Sequence, residues 1–139
     1  MNSPLNKNFI ILASALICNQ QGQVLLLQRS QNNKSFRGLW QLPEGKINFG
    51  EQPLKALIRE LKEELHCQLK KHQLFLVQST ILHSQQQRFH LLRIVFLIKT
   101  SGLTKLSSEH VARQWFALNR LPTKLFPGLK AVLQTLKKS

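Results

Sequence analysis

The chain has 139 residues, 42% of them hydrophobic, which suffices for one compact core and is too short for two domains of ordinary size. Lys and Arg number 20 against 6 acids, a formal net charge of +14, yet the hydrophobic fraction excludes a disordered basic tail. Two cysteines, Cys18 and Cys67, exclude the disulfide framework of a small secreted protein, so a reducing, cytoplasmic setting is expected.

In chain order, residues 9–18 and 23–29 are apolar, branched runs separated by Asn19-Gln20-Gln21-Gly22, which is turn chemistry for a hairpin. The first run follows Lys7 and resembles the apolar part of a signal peptide, but Leu16 and Ile17 are too bulky for a cleavage site before Cys18. It is also far shorter than the ~20 residues that span a bilayer, so a buried first strand and no membrane partner are expected. Residues 31–38 read as a polar loop, and 39–42 as a short strand stopped by Pro43.

From residue 52 to 65 the apolar residues Leu54, Leu57, Ile58, Leu61 and Leu65 recur at helical spacing, with Pro53 tolerated in the first turn. Residues 73–83 and 88–99 flank the glutamine-rich 84–87 and read as a long antiparallel pair. Residues 114–118 form one more strand, and 125–138 a closing amphipathic helix. The order β-β-β-α-β-β-β-α predicts a single α/β domain over residues 1–139, with a mixed sheet between helices.

All six acids are Glu, and five of them (Glu44, Glu51, Glu60, Glu63 and Glu64) fall between residues 44 and 64. At 100° per residue Glu60, Glu63 and Glu64 share one face of the predicted helix, beside its leucine stripe. Like charges at these spacings repel and ask for a compensating positive charge. A hard divalent cation, which takes oxygen ligands, would supply it. The alternative is a solvated acidic patch neutralised by Lys55, Arg59 and Lys62.

The run Gly45-Lys46-Ile47-Asn48-Phe49-Gly50-Glu51, seven further residues, then Arg59-Glu60-Leu61-Lys62-Glu63-Glu64 resembles the signature of the Nudix hydrolases. The matching box covers residues 45–67, and weaker likeness extends over most of the chain. The resemblance implies an α/β/α sandwich with a mixed sheet and a Mg²⁺- or Mn²⁺-dependent, MutT-like pyrophosphohydrolase acting on a nucleoside diphosphate linked to another group. It places the metal on Glu60, Glu63 and Glu64 and on the backbone carbonyl of Glu44, with Glu63, Glu64 and Arg59 in the catalytic set and Glu51 in support. Bound Mg²⁺ neutralises a diphosphate and lowers the pKa of water for in-line attack. Two positions depart from the pattern: His66 stands for the closing Gly, and Glu44 stands where many members carry a second Gly, so that its carboxylate is a second candidate, beside its backbone carbonyl, for the metal.

Glu109, the one acid outside the cluster, resembles a loop glutamate of MutT-like members and reads either as base or metal ligand or as an ordinary loop acid. Arg29 and Lys46 are candidates for substrate phosphates, or are solvent-facing charges. Phe36, Trp40, Phe89 and Trp115 are candidates for stacking a base, or are core. His66, His72, His83, His90 and His110 have no metal-ligand spacing. A small nucleotide, a nucleoside triphosphate or a related nucleoside diphosphate derivative, is the expected substrate, with the 5′ end of RNA as a second substrate class given the basic excess, and a silent nucleotide- or nucleic-acid-binding module as a third reading. Oligomeric state is not readable from the sequence.

Overall fold

The computed structural model describes residues 8–101 and 110–139. Chain order is β1 (Phe9–Ile17), β2 (Val24–Arg29), β3 (Trp40–Gln41), β4 (Glu44–Lys46), α1 (Pro53–Leu65), β5 (Gln68–Ser84), β6 (Gln87–Ser101), β7 (His110–Phe116) and α2 (Leu129–Lys138). Four strands make a mixed sheet in the order β4-β1-β6-β5, with β1 and β6 parallel and the other pairs antiparallel. A second, antiparallel sheet has the order β3-β2-β7. The architecture is the α/β fold with a mixed sheet and two helices that the sequence predicts.

The Asn19–Gly22 turn forms, with the Asn19 N–H on the Gln23 carbonyl and the Asn19 side chain accepting from the Gln21 and Gln23 amides. It does not make a long hairpin: beyond the single Cys18–Val24 bridge, β1 and β2 part into different sheets. The divergence has a packing reason. Ala13, Ala15 and Ile17 face the core under α1 with Leu25 and Leu27, while Leu16, Val24 and Leu26 face a second core closed by Leu129, Val132 and Leu133 of α2.

Helix α1 starts with Pro53 behind Gln52 and ends at His66, whose φ of 52° and ψ of 36° are left-handed, with the His66 and Cys67 amides returning to the Lys62 and Leu61 carbonyls. His66 thus takes the conformation that a closing glycine would adopt at lower cost. Ile58, predicted on the buried stripe, is 41% exposed; Ala56 and Leu57 hold the core side instead. The β5–β6 pair turns through Gln85 and Gln86, both at positive φ, so the loop is two residues and the pairing is as predicted.

Other boundaries differ. Strand β5 begins at Gln68, because the polar residues 70–73 pair with β6 on an edge strand with an exposed face. Strand β4 has no counterpart among the elements that the sequence predicts, yet its three residues pair with β1. Helix α2 starts at Leu129 rather than at 125, because Lys124 and Phe126 exchange backbone hydrogen bonds with Trp40 and the residue before Pro127 disfavours helix. Among the described residues no helix is long and apolar enough to cross a membrane.

Candidate functional site

Short strand β4 packs against α1 where Arg59 and Glu60 stand, and the two meet at a glycine. A Cβ on Gly45 would sit on the Glu60 side chain, overlapping its Cγ and carboxyl carbon. The box glycine therefore lets the Glu60 carboxylate sit against β4 at a place that a side chain on residue 45 would deny it. From this junction Glu60, Glu63 and Glu64 face a cleft of about 820 Å³ that Glu44, Lys46 and Arg59 also line.

Arg59 organises the acids. Its Nε donates to Glu51 Oε2 and its Nη2 to Glu51 Oε1, both at 2.9 Å, a forked pair. Nη2 also donates to the Lys46 carbonyl at 2.9 Å, and Nη1 reaches Glu60 Oε1 at 2.7 Å and Glu63 Oε2 at 3.7 Å. Glu51 accepts the Asn48 amide as well, so the box loop and α1 are tied through one guanidinium. The Arg59 hydrogen bonds, then the Asn48 amide, pull the Glu51 carboxyl down to about 2, and the Glu51 bond raises the Arg59 guanidinium above its usual value.

The three helix glutamates differ in setting. The Glu60 side chain is 15% exposed and Glu63 60%, whereas Glu64 is a buried residue. Glu64 Oε2 is buried and receives no hydrogen bond, although the residue makes other interactions. The donor chemistry, carboxylates and a backbone carbonyl around a glycine cradle, suits a hard divalent cation. As they stand, Glu60 and Glu63 lean on Arg59, and among the described residues no three acidic, His or Cys side chains converge on one point. A cation must share or displace the Glu60 contact with Arg59.

The Glu44 carboxylate is turned inward. It is held by Arg93 in a forked pair, at 2.9 Å and 3.2 Å, and accepts the Ser14 hydroxyl, which leaves its backbone as the group directed along β4. Neither Arg93 nor Ser14 is anticipated by the sequence reading. The available signal was an arginine inside the apolar run Leu91-Leu92-Arg93-Ile94-Val95-Phe96.

The same cleft is also lined by Phe36, Leu82, Phe89 and Phe126, which pack in one apolar cluster, and by polar residues such as Asn33, Ser35 and Gln87. Arg29 also lines the cleft. Its Nε donates to the Ser35 carbonyl at 3.2 Å, its Nη1 to Gln41 Oε1 at 3.0 Å, and its guanidinium lies 5.9 Å from the Phe126 ring centroid. Lys46 is exposed at the rim. Trp40 and Trp115 are not in the cleft: Trp40 meets Phe116 edge-on and packs in the second core, and Trp115 packs against the first. Glu109 lies outside the described residues. Cys18 and Cys67 are free thiols, and burial raises the pKa of both.

Comparison with known proteins converges on one family. A solved MutT NUDIX hydrolase from Burkholderia pseudomallei superposes with a TM-score of 0.81 at 28% identity, covering 92% of this chain and 98% of that one. An ADP-ribose pyrophosphatase of Methanocaldococcus jannaschii is 31% identical over 84% of this chain and 67% of its own length. An 8-oxo-dGDP phosphatase of Homo sapiens is 34% identical over 87% of this chain, which spans 36% of that protein's length. The NUDIX domain profile matches residues 9–136, and the chain belongs to the Nudix hydrolase family.

Proposed function

We propose that the chain hydrolyses a phosphoanhydride bond in a small nucleoside diphosphate derivative, with Mg²⁺ or Mn²⁺ as cofactor. The observation that carries this reading is the junction of Gly45 with Glu60, which sets a row of glutamates in a cleft that aromatic side chains also line. A diphosphate with its cation suits the glutamates and a flat base the aromatic side chains.

The cation would be held by Glu60, Glu63 and Glu64 and by the Glu44 backbone carbonyl, since the Glu44 carboxylate is committed to Arg93. When bound, it supplies neutralisation of the phosphate oxygens and a lowered pKa for water. Arg59, anchored on Glu51, keeps Glu60 beside Gly45. Glu63 is the most exposed of the three, and from the cation's side its carboxylate can accept the proton of the attacking water. Water adds to phosphorus in line, its proton passes to that carboxylate, the bridging P–O bond breaks, and a nucleoside monophosphate and the other phosphate group are released. Lys46 at the rim and Arg29 inside meet the phosphates.

Support for the substrate class comes from the two relatives above, since 8-oxo-dGDP and ADP-ribose share a nucleoside diphosphate unit. A panel of nucleoside di- and triphosphates, oxidised nucleotides, ADP-ribose, dinucleoside polyphosphates and 5′-triphosphorylated RNA, each with Mg²⁺ and with products separated, tests it. Turnover of at least one small nucleoside diphosphate compound is expected. Turnover of RNA alone, or of nothing in the panel, overturns the proposal.

A further inference from the structure

Arg93 sits in the middle of β6, 1% exposed, and makes contacts on three sides. Toward β4 its forked pair fixes both oxygens of Glu44. Toward β5 its Nη1 donates to Gln78 Oε1 at 2.9 Å, and Gln78 Nε2 in turn donates to the Gly128 carbonyl at 2.8 Å, just before α2. Its guanidinium also lies 5.7 Å from the centroid of Phe126, a ring of the cleft wall. An apolar pair of similar volume is generally no less stable than a buried ion pair, so stability does not account for this one.

We propose that Arg93 is a positioning residue: through Glu44 it fixes the β4 backbone that brings Gly45 against Glu60, and through Phe126 it also holds an aromatic ring that lines the same cleft. Strand β4 is three residues long, lies at the sheet edge and pairs only with β1. Without an anchor at Glu44, its first residue, such a strand frays and the junction loosens. Small displacements at a reacting centre are costly, and outer partners of metal ligands commonly control metal affinity. The inference rests on the proposed cation site for its metal readout, but not for its structural one.

Removing Arg93 alone would strand a buried carboxylate, so the test uses Arg93→Met together with Glu44→Gln, in which Gln still accepts the Ser14 hydroxyl. The readouts are the thermal melt, hydrogen exchange of the Ile47 amide, which donates to the Ile11 carbonyl at 2.9 Å, Mn²⁺ affinity by electron paramagnetic resonance without nucleotide, and kcat with KM. Cooperative melting should persist, while Mn²⁺ affinity and kcat each fall about 10-fold and Ile47 exchange accelerates by about the same factor. A folded variant with wild-type exchange and wild-type Mn²⁺ affinity overturns the proposal. If the double variant does not fold, Arg93→Lys, which keeps the charge and loses the fork, is judged by the same two readouts. If the wild-type chain neither binds Mn²⁺ nor turns over a nucleotide, the proposed function fails, and Ile47 exchange alone decides the positioning role.

Discussion

Gly45→Ala tests the junction that carries the functional reading, and the structure says which side must yield. The new Cβ would overlap the Glu60 side chain, so either β4 withdraws or Glu60 swings away. Withdrawal would break the pairing of Glu44, Gly45 and Lys46 with Ser14, Ala13 and Leu12, and Ala13 is fully buried in the core beneath α1. Swinging Glu60 gives up its 2.7 Å contact with Arg59, between side chains 15% and 29% exposed. A partly solvated pair of that kind is worth about 1 kcal/mol or less. The second route costs less, so the melting temperature should fall by only about 3–5 °C. Activity should fall far more, about 100-fold, because the displaced carboxylate leaves the place where a cation would need it. Thermal melts and Mg²⁺ titrations of hydrolysis, run well below the melting temperature, separate the two effects. In a Glu60→Ala background the same Gly45→Ala change should cost almost no stability, since the clash has gone. Near-native turnover in Gly45→Ala, or an undiminished stability cost in that background, refutes the reasoning.

Three further outcomes are expected. Glu64→Gln should fold and lose turnover by several orders of magnitude, and near-native turnover at saturating Mg²⁺ would remove Glu64 from the metal set. The folded Glu51 carboxyl is lowered from 4.5 to about 2, so its contribution is fully present above the unfolded value and is lost as pH falls toward the folded one. The melting difference between wild type and Glu51→Gln should therefore hold above about pH 5 and shrink to nothing near pH 2; a difference independent of pH across that window contradicts the pairing with Arg59. For a small nucleotide, KM should change only a few-fold between about 50 and 200 mM salt, whereas RNA held along many phosphates loses affinity with a slope of about −0.7 per phosphate neutralised. Higher kcat/KM on triphosphorylated RNA at low salt, lost steeply as salt rises, would replace the nucleotide reading.

What was legible in the sequence and what was not divides along physical lines. Helix α1 was readable because its apolar spacing, Pro53 and the departure at His66 are local signals, and each acts locally in the fold. The left-handed φ at His66 follows from the family pattern at a position where Gly is usual. The β5–β6 pair was readable from its local turn, but the partners of the first strands were not: β1 and β2 are joined by good turn residues, yet they pair with β4, β6 and β7 further along the chain. The start of α2 was misplaced because the hydrogen bonds between Trp40 and residues 124–126 outweigh the amphipathic pattern. In the site, the glutamates were visible as a charge anomaly. Arg93 announced itself only as a lone cation in an apolar strand, with nothing in the sequence to say that Glu44 was its partner.

The charge arrangement also revises the electrostatic expectation. Three glutamates on one stripe ask for a positive charge, and the structure supplies protein cations for part of that demand: Arg59 serves Glu51 and Glu60 and approaches Glu63, and Arg93 serves Glu44. Repulsion is therefore largely relieved before any metal arrives, and repulsion alone is no argument for a cation. The stronger argument is geometric. A solvated acidic patch has no use for a glycine pressed against one carboxylate, for a second carboxylate held by a buried arginine, or for a buried Glu64 in the same cleft. Nor would a surface patch share its cleft with a cluster of aromatic side chains in a chain carrying +14 overall. On the proposed reading Arg59 would have a double part, holding the acids in register without a cation and yielding Glu60 to one, so that metal affinity would measure the difference between the two partners rather than the attraction of three bare carboxylates.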